Sequence, residues 1–250
     1  MRNTRTPLVS IITSTLNSAA LLSVTLGALA DDVGRFAEHI IIDGNSSDNT
    51  RDIVQRAGER VRFFISEPDQ GIYDAWNKGV RAARGTYLAF VGAGDFYVNN
   101  GLSLLVDSAM KNQEAEFISS KMAIVRDGSI LREFGQHWNW NEFRRNMKTA
   151  HAGSLHKRVL FDRYGLFDPS YRIAGDYEFL LRAGPRLATA YVDAVTVHMA
   201  ADGVSHHSLR LYQEVERAKL QHRTVSAWLA RVDRRVAEAK RIIRRVAGLP

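Results

Sequence analysis

The chain has 250 residues, 45% of them apolar, enough for one large domain or a domain with an extension. It has no cysteine, which excludes a disulfide framework, a thiol nucleophile and a thiolate metal site. The net charge of +7 is lopsided: residues 210–250 hold 11 Lys/Arg against 4 Asp/Glu, while the first 209 residues hold 23 of each sign. The basic character therefore belongs to the tail, which argues against a nucleic-acid-binding protein.

After the polar stretch Met1 to Pro7, the apolar run Leu8 to Thr13 is too short for a signal h-region or a membrane span. Val9 to Thr13 reads as a first strand, and Ser18 to Ala30 as a helix with Leu22 and Leu26 at helical spacing. Phe36 to Asp43 is a second strand, Thr50 to Ala57 a second helix, and Val61 to Ser66 a third strand halted by Pro68. Gly71 to Ala83 is helical and Tyr87 to Val91 is a fourth strand. This alternation predicts a doubly wound, mostly parallel sheet with right-handed crossovers. In the second half, Glu116 to Phe134 predicts a hairpin turning at Asp127-Gly128. Val159 to Gly165 and Asp176 to Ala183 predict short helices, and Ala188 to Val197 a last strand. From Leu209 to Val246 there is neither proline nor glycine. Val225, Leu229, Val232, Val236, Ala239, Ile243 and Val246 predict one amphipathic helix, ended by Gly248 and Pro250.

Three carboxylates stand where elements end. Asp43 closes an Ile-Ile-Ile strand ahead of Gly44-Asn45-Ser46-Ser47. Ligands of open α/β sheets bind at strand ends, so Asp43 either meets a base or ribose or caps its own turn. Asp48 suits local bonding to Thr50. Asp95 follows the strand and Gly92-Ala93-Gly94, and is either a ligand for Mg²⁺ or Mn²⁺ beside a diphosphate or a plain turn residue. Asp176 follows Gly175 and is either a general base or a helix N-cap. Among His151, His198, His206 and His207 no pair has zinc-ligand spacing; His151 is placed to line a cleft. No P-loop, dinucleotide fingerprint or nucleophile elbow is present.

Together these motifs resemble the inverting family 2 glycosyltransferases of the GT-A fold over residues 8–205. The segments that carry the likeness are Val9 to Asn17, Ile41 to Thr50, Asp69 to Gly79, and Phe167-Asp168 followed by Ala174-Gly175-Asp176-Tyr177-Glu178. The resemblance implies an α/β GT-A domain over residues 1–208, split into a nucleotide-binding half (1–98) and a mixed acceptor half (99–208), with a basic helical extension over 209–250. It implies transfer of a sugar from a nucleotide diphosphate, UDP by default, to a saccharide or lipid-linked hydroxyl in polysaccharide assembly. Asp176 would be the base. Thr13, Ser14, Thr15, Asp43, Asp69, Gly71, Asn77 and Gly94 would line the donor site, and Trp138 and His151 the acceptor side. Asp95 would match the last carboxylate of the D-x-D metal motif. Ala93 stands where its first aspartate usually is, so a Mn²⁺ or Mg²⁺ ion would rest on Asp95, the diphosphate and water. That departure also leaves open a catalytically degenerate nucleotide-sugar-binding homologue. The implied setting is cytoplasmic, with the tail either packed on the catalytic domain or a partner, or laid on the anionic inner face of the membrane.

Overall fold

The computed structural model describes residues 6–98, 100–201 and 209–246, with side chains as far as residue 243. In chain order the elements are β1 (Val9–Thr15), α1 (Ala19–Ala28), β2 (Ala37–Asp43), α2 (Thr50–Ala57), β3 (Phe63–Ser66), α3 (Ile72–Ala82), β4 (Tyr87–Gly92), β5 (Phe96–Tyr97), α4 (Gly101–Lys111), β6 (Phe117–Arg126), β7 (Ser129–Phe134), α5 (Trp140–Phe143), β8 (Ser154–Lys157), α6 (Val159–Tyr164), α7 (Gly175–Ala183), β9 (Thr189–Ala200), α8 (Arg210–Gln221) and α9 (Ala227–Val246).

One sheet runs β3-β2-β1-β4-β8-β6-β9-β5, with β7 paired to β6 outside that path. Strands β3, β2, β1 and β4 are parallel, as the βα alternation predicts. Beyond β4 the sheet turns mixed: β8 is antiparallel to both β4 and β6, and β9 is parallel to β6. Period-2 alternation divides the buried isoleucines of β2. Ile40 and Ile42 face the layer of α3, α6 and α7, together with Ile12, Trp76, Phe90, Phe117, Phe167 and Phe179. Ile41 faces α1 and α2 with Leu22, Leu26 and Val54. A third cluster, with Ile11, Val91, Leu102, Leu105, Ile118 and Val197, lies under α4. Close approach of α3 to β1 is possible because residue 79 is glycine; a Cβ there would collide with Ile12.

The β6–β7 hairpin turns where the sequence predicts, with Asp127 and Gly128 both at positive φ (49° and 76°) as a type I′ turn requires. The C-terminal segment departs from the single predicted helix. It breaks at residues 222–226, where Arg223 takes φ 51° and the Thr224 N–H returns to the Lys219 carbonyl. The Ser226 hydroxyl then accepts from Leu229 N to open α9. Neither glycine nor proline is needed for the break, because a Thr-Val-Ser run disfavours helix continuation and supplies the new cap. α8 packs on α7 and puts Ala218 into the large cluster under β1, β2 and β4, so it shares the core of the preceding residues. Residues 206 and 207, 248 and 250 lie outside the described part of the chain.

Candidate active site

The carboxyl ends of β1, β2, β3 and β4 form one edge, and the chain's polar motifs gather there. Register pairing sets Thr15 beside Asp43, Asp43 beside Ser66, and Ser14 beside Gly92. Asp43 is only 1% exposed. Its carboxylate accepts from Ser46 N (3.0 Å), the Ser66 hydroxyl (2.6 Å) and the Ser46 hydroxyl. Three donors from the next turn and the next strand make Asp43 the organiser of loop 44–49. Asp48 acts locally, as its spacing implies: Oδ1 takes Thr50 N and Oγ1, and Oδ2 takes Ala19 N at the start of α1. These bonds hold its carboxyl below the ordinary range. The Thr15 hydroxyl beside Asp43 is buried and lacks a hydrogen-bond partner among the described residues. An unsatisfied hydroxyl at a strand end is costly unless a ligand or water completes it.

Asp69 and Gly71 extend the same edge. The Asp69 carboxylate lies against Gly44, where a Cβ would sit 2.8 Å from Oδ2, and it accepts from Gly71 N at 2.8 Å. Gly71 opens α3 at φ +117°, a conformation that strains any residue with a side chain, and the guanidinium of the exposed Arg172 lies against it. Arg172 thus joins the turn after β3 to the loop before α7 and leaves a cation on this edge.

Asp176 is the second residue of α7 and is half-buried. Its Oδ1 accepts from Tyr177 N (2.9 Å) and from the Tyr73 hydroxyl (3.1 Å), which also reaches the Ile173 carbonyl at 2.7 Å. Oδ2 has no hydrogen bond among the described residues. Burial, and next the Asp176 charge, push the Tyr73 hydroxyl well above its usual range, so Tyr73 stays a donor. Tyr73 fits because residue 175 is glycine; a Cβ there would lie 2.7 Å from its ring. The loop before Asp176 is held from the other side: Glu214 of α8 accepts the backbone N–H groups of Arg172, Ile173 and Ala174 at 2.8–3.1 Å. Glu178, two residues beyond Asp176, is bound by Arg182 and by His222 of the α8 end. Sequence spacing gave no sign of Tyr73 or Glu214. The one lies a hundred residues from its partner, and the other sits in the basic tail.

Several of the expected site residues make contacts within the protein. Thr13 is fully buried inside the sheet and its hydroxyl pairs with His39 Nε2 at 2.9 Å, so it cannot reach a ligand at the edge. Asn77 uses both ends of its amide on the Phe167 backbone (2.8 and 3.0 Å), which fixes α3 to loop 165–168. Gly94, at φ +96°, packs on Leu21 of α1 and gives its N–H to the Thr25 hydroxyl. Trp138 is half-buried against Phe143 (4.3 Å between ring centres) and is part of the core. His151 lies stacked on Phe90 and Trp76 under the edge, and burial lowers its pKa while the Asp176 charge opposes that.

Asp95 turns inward. Its carboxylate accepts from Gly92 N and Ala200 N, both at 3.2 Å, and burial raises its pKa to about 7 despite those bonds. A hard divalent cation takes oxygen ligands, commonly one or two carboxylates together with water and substrate phosphates. Here the one carboxylate accepts from two backbone amides, and Gly92, Ala93 and Gly94 bring no side-chain oxygen. No cluster of three or more His, Asp or Glu suited to a metal occurs among the described residues. The protein's own contribution to such an ion at this turn would be the single carboxylate of Asp95.

Parallel strands whose carboxyl ends gather these polar motifs, continued by a mixed half of the same sheet, are the architecture of the GT-A type. Residues 10–168 match the model of glycosyl transferase family 2, and the chain belongs to that family. It is 32% identical over 198 residues to the PGL/p-HBAD biosynthesis glycosyltransferase of Mycobacterium tuberculosis, covering 76% of this chain and 75% of the relative. It is 27% identical over 128 residues to the Escherichia coli UDP-Glc:alpha-D-GlcNAc-diphosphoundecaprenol beta-1,3-glucosyltransferase WfgD, covering 51% of this chain and 50% of the relative. The GT-A architecture is shared with S. aureus TarS 1–349 in complex with UDP-GlcNAc (TM-score 0.70, 17% identity, 89% of this chain and 69% of that one). It is shared also with the mannosyltransferase PcManGT from Pyrobaculum calidifontis bound to GDP-Man and Mn²⁺ (TM-score 0.67, 19% identity, 98% and 77%).

Proposed function

We propose that this glycosyltransferase moves a hexosyl or N-acetylhexosaminyl unit from a nucleotide-diphosphate sugar, by default a UDP-sugar, to a hydroxyl of a saccharide or lipid-linked acceptor, with inversion, in polysaccharide or glycolipid assembly. The observation that carries this is Asp176, held by Tyr73 and the α7 backbone through one oxygen while the other is left open on the strand-end edge. In inverting transfer the open oxygen takes the proton of the acceptor hydroxyl as that hydroxyl attacks the anomeric carbon. The bond from that carbon to the diphosphate oxygen breaks on the opposite face. Ser14, Thr15, Asp69 and Gly71 line the donor side, with Asp43 keeping loop 44–49 in shape beneath the base. The cation on this edge is Arg172, placed to offset charge on the departing diphosphate. The printed donors of two similar proteins, UDP-Glc for WfgD and UDP-GlcNAc for TarS, support the UDP choice, and the undecaprenol acceptor of WfgD supports a lipid-linked one.

Product anomeric configuration by proton NMR tests the mechanism. The β-linked product from an α-linked UDP-sugar is expected; retention of configuration would refute the single-base account. Because Asp95 faces the backbone, transfer is expected to continue after exhaustive chelation with EDTA, with less than about a tenfold loss. Abolished turnover restored by Mn²⁺ would contradict that placement. Donor binding with no transfer to any acceptor would instead favour a binding homologue, a reading the bare Gly-Ala-Gly turn at 92–94 motivates.

A further inference from the structure

Helix α9 is packed the wrong way round for an ordinary surface helix. Surface helices turn their apolar stripe to the protein and their charges to water. In α9 the inward side carries Ala230, Asp233, Arg234 and Ala237, which face α8 and residues 146 and 147. Asp233 there is bound by Lys219 (2.9 Å) and Arg145, and Arg234 pairs with Glu216 (2.9 Å). At roughly 100° per residue, the stripe Trp228, Val232, Val236, Ala239 and Ile243 points about 150° away from that packed side. Exposure agrees: Trp228 is 72% exposed, Val236 46%, Ile242 62% and Ile243 65%.

We propose that this outward face is a docking surface for an anionic lipid bilayer, with Trp228, Val236, Ile242 and Ile243 entering the headgroup–acyl boundary. Charge selects the occupant. The exposed Arg231 and Arg235 border the stripe on one side and Lys240 on the other. Both acidic residues of the helix are held on ion pairs away from it, Asp233 with Lys219 and Glu238 with Arg234. An apolar stripe with cationic margins and no acid fits an anionic surface. A second copy of the chain would bring those same cations together across the contact. No helix among the described residues is long and apolar enough to cross a membrane, so the contact is peripheral. Through Asp233 and Lys219 the helix is fixed to α8, and through Glu214 α8 holds the loop before Asp176. The membrane contact therefore has a set position relative to the base, and it stands independently of the donor and acceptor assigned above.

The test is co-sedimentation of the full chain with phosphatidylcholine vesicles with and without phosphatidylglycerol, together with tryptophan emission. Binding only to the phosphatidylglycerol vesicles is expected, with a blue shift that is lost in Trp228→Ser. Ile242→Ser/Ile243→Ser should weaken partitioning by roughly tenfold or more without lowering the melting temperature, because both side chains are exposed. Arg231→Glu/Arg235→Glu should remove the anionic preference. Failure to sediment with anionic vesicles at low salt, or equal binding by these variants, would overturn the proposal. So would a dimer by analytical ultracentrifugation that Ile242→Ser/Ile243→Ser dissociates, which would assign the face to a second copy.

Discussion

Glu214 shows how a residue outside every recognisable motif can govern the site. Its carboxylate closes the three backbone N–H groups of residues 172–174, which would otherwise face the interior without partners. Burial raises its pKa, but these amides and Arg210 outweigh that and hold it below the ordinary range. Glu214→Gln sets an amide NH₂ against backbone donors. It is expected to cost about 2 kcal/mol of stability and to lower kcat with donor affinity kept. Wild-type kcat in a folded variant would contradict the positioning role. The buried imidazoles give a second residue-scale expectation. Burial lowers the pKa of His151 and His156, and that of His39 to about 4. The unfolded chain then binds more protons than the fold between pH 6.5 and 4, so stability is full above pH 6.5 and is lost as pH falls through that window. His156 is ringed by Phe90, Phe117, Phe161 and Phe179. His156→Phe is expected to raise the melting temperature more at pH 5 than at pH 8; an equal shift at both would show that His156 does not contribute to acid loss.

At the scale of elements, the glycines in the shared motifs mark close approaches. Gly175 gives room to the Tyr73 ring, which is wedged between Trp76 and Phe167 and has little freedom to retreat. Gly175→Ala is expected to cost about 1–3 kcal/mol and to impair transfer by displacing the Tyr73 hydroxyl from Asp176. An unchanged melting temperature would show that the ring gives way. The strands β1 to β4 were legible because period and apolar runs agree with what the sheet buries. The short strand β5 and helix α4 were not. Two residues carry no period, and α4, whose N-cap Asn100 is left-handed, begins without a side-chain capping bond. Motif membership told which residues matter but not how. Asn77 and Thr13 occupy matching positions, and their side chains bond the Phe167 backbone and the His39 ring, partners that spacing does not reveal.

Across the whole molecule, the candidate site is made by convergence on one sheet edge. Asp43 reaches Ser66, Gly44 meets Asp69, Gly71 meets Arg172, and Tyr73 reaches Asp176. Each link joins a local motif to a distant one, and sequence order alone carries no distances. The tail was legible as amphipathic but not as to which way it turns. Its charged side is the one fixed to the protein, since Asp233, Lys219, Arg145, Arg234 and Glu216 satisfy one another there. That network is sequence-distant and leaves the apolar stripe outside.

The most direct measurement is the transfer rate of Asp176→Asn beside its donor affinity by calorimetry. Asparagine keeps the size and the hydrogen bond from Tyr73 but cannot take up a proton. Donor binding within about twofold of the parent, with transfer slowed by roughly 10²- to 10⁴-fold, is the expected result. Transfer at the parental rate would show that the acceptor proton goes elsewhere.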